Sequence, residues 1–318
     1  MQVFESLSEL DPADFAAGSC VAVGKFDGLH RGHQAILSQL DRAAEQSTGE
    51  GVRSRTVVFT FANNPLSYLN PNHCPHPLMS RAQRLEAFEA AGVDVCVMVE
   101  FDEAFARIPA EEFVADVLVN KLRARHVVMG ADFRFGYRGS GDGALLERLG
   151  AEYGFDAELV EWVEDNGGDQ VSSSRVREAL GQGDVEAAHR MLGRPPVVRG
   201  EVVHGDARGR ELGFPTANLG GALEGFVPAD GVYSGWVVID GVRREAAISV
   251  GNNPTFTPNE QSRVEAFILD FEGDLYGKAM EVQFAHRLRG TVAFESLEAL
   301  IEQMHDDVVR ARVLLAGE

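Results

Sequence analysis

Three cysteines in 318 residues, Cys20, Cys74 and Cys96, are too few and too scattered for a disulfide framework, and no CxxC pair offers zinc-ligand spacing. Basic residues are scarce. The 29 Lys and Arg stand against 49 Asp and Glu, and the resulting net charge of −20 repels nucleic acid and anionic membranes. Any phosphate site in such a chain has to be built locally. Nowhere do about 18 apolar residues run consecutively, and the opening MQVFESLSELDP is acidic and lacks an apolar stretch of signal length. A soluble, reducing, cytoplasmic setting is the expectation. The pattern GxxxxGK[ST] is absent, which removes the Walker A type of phosphate loop, and no internal repeat links the two halves.

What is present is enough chain for about two domains, each able to bury its own core. The first half alternates strand and helix patterns. Strands are predicted at Val21–Val23, Arg55–Phe61, Val93–Glu100, near His126–Met129 and at Asp156–Val160. Helices are predicted from His33, over Arg81–Ala91 and Ala110–Lys121, and near Gly143–Tyr153. That alternation implies a mostly parallel, doubly wound sheet, whose ligands bind beyond the carboxyl ends of the strands. Near Gly181–Pro196 the pattern changes: Asp184–Leu192 reads as a short helix stopped by Gly193-Arg194-Pro195-Pro196. Strand-like runs then follow at Val197–His204, Gly231–Ile239, Ala246–Val250, Val264–Asp270 and Met280–Phe284. Glycine turns separate them, which predicts a small antiparallel barrel. A closing helix starts at Ser296, and its Leu297, Leu300, Ile301, Met304 and Val308 recur at helical spacing as a packing stripe.

The most informative stretch is Val21 to Gln34, VAVGKFDGLHRGHQ, a strand, a tight loop and a helix start. Gly24, Gly28 and Gly32 let the backbone approach a ligand, and the free amides opening the helix favour an anion. His30 and His33, three apart across the junction, can face one point and donate to phosphate oxygens. The bland alternative is a glycine turn with two solvated histidines. The run G-x-F-D-G-x-H-x-G-H over Gly24–His33 resembles the nucleotidyltransferase signature of bifunctional bacterial riboflavin kinase/FAD synthetases (FMN adenylyltransferases), within the wider HxGH superfamily. The resemblance implies a Rossmann-like nucleotidyltransferase half in which Gly24, Phe26, Asp27 and Gly28 also bind nucleotide.

Three further loops extend the resemblance. In Phe61-Ala62-Asn63-Asn64-Pro65 the family carries Asn or His before Pro, which implies a phosphate contact for Asn64 and places Phe61 beside the flavin; an ordinary Asn turn is the alternative. Gly130-Ala131-Asp132-Phe133-Arg134-Phe135-Gly136 resembles the G-x-D-F-x-F-G segment, in which Asp132 contacts nucleotide and Phe133 and Phe135 border the flavin. Two phenylalanines at i and i+2 in a glycine-rich loop suit a planar ligand, or cap the sheet edge. Val171-Ser172-Ser173-Ser174-Arg175-Val176-Arg177 is similar to I-S-S-T-x-I-R, with Ser174 where Thr is usual, and implies phosphate contacts from Ser173 and Arg177. By contrast Asn72-His73-Cys74-Pro75-His76-Pro77 has metal-type side chains but no distant ligand pair, and reads as a connector.

The second half resembles the riboflavin kinase module over nearly its whole length, from Gly200 through Gly209-Arg210-Glu211-Leu212-Gly213-Phe214-Pro215-Thr216-Ala217-Asn218. In an extended segment Thr216 and Asn218 point the same way and present oxygens suited to Mg²⁺ beside phosphates. The resemblance implies that metal role. It also implies that Gly205, Gly209 and Arg210 line the loop over the ATP phosphates, and that Glu265, in Val264-Glu265-Ala266-Phe267, is the general base toward the ribityl hydroxyl. Family members often carry His where Phe267 stands. Gly251-Asn252-Asn253-Pro254-Thr255-Phe256, Asp270, Leu275-Tyr276-Gly277-Lys278 and Arg289, a flavin-side contact, complete the pattern. The expectation is residues 1–186 as FMN adenylyltransferase and 187–318 as riboflavin kinase, acting on ATP, riboflavin and FMN to give FAD, with no nucleic-acid or membrane partner. Two alternatives stand: a monofunctional kinase with a decayed N-terminal site, and a flavin-binding sensor or carrier without turnover.

Overall fold

Residues 1–49, 52–165, 168–205, 209, 212–251 and 263–317 are described in the structure, a computed structural model. Arg210 and the 252–256 stretch of the sequence reading lie outside the described residues. The chain divides into two compact units: Met1–Pro77 with Arg81–Val171, and Leu78–Ser80 with Ser172–Glu318.

The first unit is built on a six-stranded parallel sheet. Its strands are β1 (Gln2–Phe4), β2 (Ser19–Val23), β5 (Arg55–Phe61), β6 (Val95–Val99), β7 (Ala124–Gly130) and β8 (Asp156–Val160), in the order β1-β6-β5-β2-β7-β8. A two-residue hairpin, β3 (Thr48–Gly49) with β4 (Val52–Arg53), stands apart. Every residue of β2 and β6 is buried, because strands covered on both faces must be apolar throughout. Helix α1 (Arg31–Gln46) buries Ile36, Leu37, Leu40, Ala43 and Ala44. The remaining elements are α2 (Pro65–Leu69), α3 (Arg81–Ala90), α4 (Glu103–Ala106), α5 (Ala110–Glu112) and α6 (Gly143–Tyr153). The predicted regular helix over Ala110–Lys121 is instead α5 followed by π-type turns at Phe113–Lys121, where the Leu122 amide reaches back five residues to the Val117 carbonyl at 3.0 Å. Those turns bury Phe113, Val114, Val117 and Leu118 in the core cluster with Val21, Val57, Phe59 and Val97.

The second unit is a closed antiparallel barrel in the order β10-β13-β12-β11-β14-β9, with strands β9 (Val197–Val203), β10 (Ala217–Glu224), β11 (Gly231–Ile239), β12 (Val242–Gly251), β13 (Arg263–Ile268) and β14 (Ala279–Arg289). Closure leaves no unpaired edge. Helices α7 (Ser173–Gln182) and α8 (Val185–Leu192) belong to this unit, so division by compactness falls at 171/172 where 186/187 was expected. Hydrogen bonds account for it: the Arg287 guanidinium donates to the Gln182 carbonyl at 2.6 Å, and the Ala229 amide to the Leu180 carbonyl at 2.9 Å.

The closing helix, α9 (Leu297–Leu315), starts from its Ser296 cap as expected, but the expected stripe is displaced. Leu297 is 54% exposed, Leu300, Ile301, Met304 and Val308 are half-buried, and the buried face is Asp307, Ala311 and Leu315. An aspartate anchors that face because Arg289 on β14 neutralises it: Nε donates to Oδ1 at 3.1 Å and to Oδ2 at 3.0 Å, and Nη2 to Oδ2 at 2.8 Å.

Candidate functional site

β2 runs parallel between β5 and β7, so the loops that follow Val23, Phe61 and Gly130 leave the sheet side by side. The chain order also reverses at β2, with β5, β6 and β1 on one side and β7 and β8 on the other, the place where open α/β sheets bind ligands.

The β2 loop is held tightly. The Gly24 amide donates to the Phe59 carbonyl at 3.1 Å, and a Cβ on Gly24 would come within 2.9 Å of the Phe26 ring, so only glycine lets the loop fold over that side chain. Phe26 is fully buried edge-on against Phe88, with centroids 5.7 Å apart. Phe26 at φ +49° and Leu29 at φ +43° both sit in the left-handed region, a strain of about 1–3 kcal/mol each that packing must over-determine. Gln34 contributes by donating its side-chain amide to the Leu29 carbonyl at 2.8 Å. Asp27 is half-buried in the same loop, and Gly28 lies between at φ +83°.

His30 is the N-cap of α1, and its Nδ1 accepts the His33 amide hydrogen at 3.4 Å, which puts the proton of the neutral ring on Nε2. The two imidazoles stack with centroids 3.7 Å apart, and Phe26 covers His33 at 5.2 Å. These are not the solvated histidines of the bland alternative: His30 is 7% exposed. Burial, and then the neighbouring His30, push His33 well below the usual imidazole range, so it is neutral, and its buried Nδ1 has no hydrogen-bond partner among the described residues. The site offers anions ring N–H donors and backbone amides.

In the β5 loop Asn64 caps α2, its Oδ1 accepting the Leu66 amide at 3.0 Å ahead of Pro65 at the first helical position. Asn63 ties this loop to the one after β6, accepting from the Phe101 amide at 2.8 Å and donating to the Phe101 carbonyl at 3.2 Å. In the β7 loop Asp132 is exposed. Phe133 and Phe135, expected to face a planar ligand or to cap the sheet edge, both pack toward the core. Phe135 is 8% exposed and belongs to the core cluster, 5.9 Å from Phe113, with Phe133 packed against that cluster. Mutual bonds between the Phe135 and Gly141 backbones, at 3.1 and 2.8 Å, turn the loop inward. Phe61 is likewise core, 5.2 Å from both Phe101 and Phe105. Ser173 and Arg177 occupy the first turns of α7, where Ser172 and not Ser173 provides the cap, accepting the Arg175 amide at 3.3 Å.

In the barrel, Asn218 on β10 pairs directly with Glu265 on β13. The Thr216 hydroxyl donates to Glu265 Oε2 at 3.2 Å, and Asn218 Nδ2 donates to the Thr216 carbonyl and hydroxyl at 3.4 Å each. With its nitrogen so engaged, Asn218 presents Oδ1, beside a hydroxyl and a carboxylate. Gly205 abuts this group: a Cβ there would lie 2.7 Å from the Asn218 side chain. The Gly209 carbonyl accepts the Phe214 amide at 2.8 Å and the Leu212 amide at 3.1 Å. Phe267, beyond Glu265, packs on Phe214 at 5.3 Å, and His305 from α9 meets the same ring at 4.9 Å. Arg289, expected on the flavin side, is engaged by Asp307 and by the Gly290 carbonyl at 3.2 Å. Among the described residues no cluster of three or more His, Cys, Asp or Glu is arranged for a metal; in the connector His73 contacts Asn70 at 3.0 Å. Sequence reading missed Gln34, one position beyond the motif, whose only signal is its place in the first turn of α1.

Comparison with known proteins follows the same division. The FAD synthetase family model matches residues 13–175 and the riboflavin kinase model residues 192–315. A bifunctional riboflavin kinase/FMN adenylyltransferase of Pseudomonas fluorescens is 38% identical over 317 residues, covering 99% of this chain and 98% of that protein. The one of Escherichia coli strain K12 is 36% identical over 297 residues, covering 93% and 92%. A Streptococcus pneumoniae crystal structure titled a macrolide-efflux protein has a TM-score of 0.86 at 33% identity, covering 98% of each chain. No described helix is long and apolar enough to cross a membrane. Two family models side by side and near-full-length identity above 30% agree with the two sites, and the chain belongs to the bifunctional riboflavin kinase/FMN adenylyltransferase family.

Proposed function

We infer that the barrel unit phosphorylates riboflavin with ATP to give FMN and ADP, and that the sheet unit joins FMN to the AMP moiety of a second ATP, giving FAD and pyrophosphate. The observation that carries the kinase reading is the Thr216–Asn218–Glu265 group, a hydroxyl, an amide oxygen and a carboxylate gathered across two paired strands. Glu265 takes the proton of the ribityl hydroxyl as that oxygen attacks the γ-phosphorus and the β–γ bridging oxygen leaves with ADP. Phosphoryl transfer asks mainly for alignment and charge neutralisation, so a half-buried carboxylate suffices. Thr216 and Asn218 are hard oxygen donors that fit Mg²⁺ together with nucleotide phosphates. When bound, the ion supplies neutralisation of phosphate charge. Gly205, Gly209 and Arg210 complete the nucleotide side.

In the sheet unit an FMN phosphate oxygen attacks the α-phosphorus of ATP and pyrophosphate departs. No protein nucleophile takes part. His30 Nε2–H, His33 and the opening amides of α1 stabilise the charge that builds on the phosphates, with Asn64 and Asp132 as further contacts. Phe133, partly exposed, remains the aromatic nearest a flavin role, while Phe61 and Phe135 act through the core. The modules 1–186 and 187–318 are the functional halves, in a cytoplasmic setting.

Incubating the protein with riboflavin, ATP and Mg²⁺ and resolving FMN and FAD by chromatography tests this. Glu265→Gln should abolish FMN formation and leave FMN-to-FAD conversion intact; His30→Ala should do the reverse. Accumulation of FMN alone from the unaltered protein identifies a monofunctional kinase, and flavin binding without ATP consumption a carrier.

A further inference from the structure

One buried cation has no place in either reaction above. Arg84, in the first turn of α3, is 7% exposed, and burial is the main influence lowering its pKa. Its guanidinium spans two loops of the sheet site. Nη1 donates to the Lys25 carbonyl at 3.3 Å, within the Gly24–His33 loop, and Nη2 donates to the Ala62 carbonyl at 3.0 Å, two residues before Asn64. Nη2 also lies 3.9 Å from the Met98 sulfur. The Lys25 carbonyl accepts a second hydrogen bond, from the Thr60 hydroxyl at 3.1 Å. Among the described residues the contacts of this guanidinium include two carbonyls and a thioether, with the Asp27 carboxylate exerting the largest opposing, pKa-raising influence.

A planar fork reaching two backbone carbonyls fixes the separation of the loops that carry them. The anchored carbonyl immediately precedes Phe26, the first of the two left-handed non-glycine residues that lead to His30. We propose that Arg84 is a positioning residue for adenylyl transfer: it clamps the strained β2 loop to the Asn64 loop and so sets the distance between the histidine pair and Asn64. The proposal rests on the adenylyltransferase reading of the sheet unit and names the element that holds that site in register. In a chain of net charge −20 a desolvated cation behind the anion site also favours phosphate there, but the clamp is the claim.

The riboflavin kinase of the same chain is the internal control. Arg84→Met keeps length and burial while removing both hydrogen bonds; Arg84→Lys keeps the charge but cannot span both carbonyls. Misplacement of about 1 Å costs on the order of a hundredfold, so Arg84→Met should lose about a hundredfold in kcat for FAD formation. Its KM for ATP should shift less, and FMN formation should hold within about twofold. Arg84→Lys should recover only part of the loss. Full adenylyl transfer in Arg84→Met, or full recovery in Arg84→Lys, overturns the clamp. A drop confined to KM overturns it in favour of a purely electrostatic role. If Arg84→Met does not fold its sheet unit, judged by loss of that unit's unfolding transition in near-ultraviolet circular dichroism and not by kinase activity, Arg84→Lys decides alone. Failure of the unaltered protein to make FAD would count against the adenylyltransferase reading itself.

Discussion

The imidazoles of His30 and His33 are stacked 3.7 Å apart with their planes within 19° of parallel, and a ring pair this close cannot comfortably carry two charges. Burial and His30 hold the His33 pKa below 6.5, its ordinary value and the one it regains on unfolding. Between the unfolded and folded values the unfolded chain binds the extra proton, so stability contributed by neutral His33 is complete above about pH 6.5 and is lost as pH falls toward the folded value. Urea midpoints measured at pH 7.5 and 5.5 should fall further for the unaltered protein than for His33→Asn. Equal falls would show that His33 is not held neutral.

Gly205 lies against the side-chain amide of Asn218. A methyl group there would meet the Asn218 side chain at 2.7 Å, and Asn218 is already fixed through Thr216. Gly205→Ala should therefore displace the Asn218 amide and lower kcat/KM for FMN formation by about tenfold or more. FAD formation from supplied FMN should be unchanged. The two activities, followed on one preparation, check both statements.

Most strands of both units were legible because their signals are local, but β1 and β10 were not among the predicted strands. Val21–Val23, Arg55–Phe61 and Gly231–Ile239 are apolar runs between glycine punctuation, and the structure places strands there. The loop positions of the site followed from those strands, since parallel topology brings together whatever follows β2, β5 and β7. Side-chain destinations were less legible. Phe135 reads as a loop residue, yet reciprocal bonds to Gly141 turn it into the core, and no periodicity encodes a two-residue bridge. Asp307 breaks the apolar pattern of α9 and sits on its buried face because its partner is 18 residues away on β14. Arg84 is one of several arginines in a weakly patterned helix, and its two acceptors are carbonyls, which leave no mark on sequence.

The core position of Phe135 has its own consequence. Removing a buried phenylalanine costs about 3–5 kcal/mol, and this ring sits among Phe113 and its neighbours. Phe135→Ala should lower the thermal midpoint of FAD formation by several degrees or more while sparing the thermal midpoint of FMN formation. A variant of unchanged thermal stability with weakened flavin binding would instead restore the direct-contact role. Thermal inactivation of each activity separately makes the distinction.

The Arg289–Asp307 clamp admits a sharper experiment than a single substitution. With their side chains 18% and 5% exposed, the two are largely desolvated, and removing one partner strands the other at a cost of about 3–5 kcal/mol. Asp307→Leu should accordingly destabilise the barrel unit, seen as loss of riboflavin kinase activity at lower urea. Adding Arg289→Met removes the stranded guanidinium and should recover much of that loss, because a matched apolar pair replaces a matched ionic one. The recovered double variant then isolates the expected flavin contact of Arg289. If it phosphorylates riboflavin with an unaltered KM, the arginine serves only to seat α9 on β14. A raised KM for riboflavin with restored stability would assign Arg289 to the flavin as well.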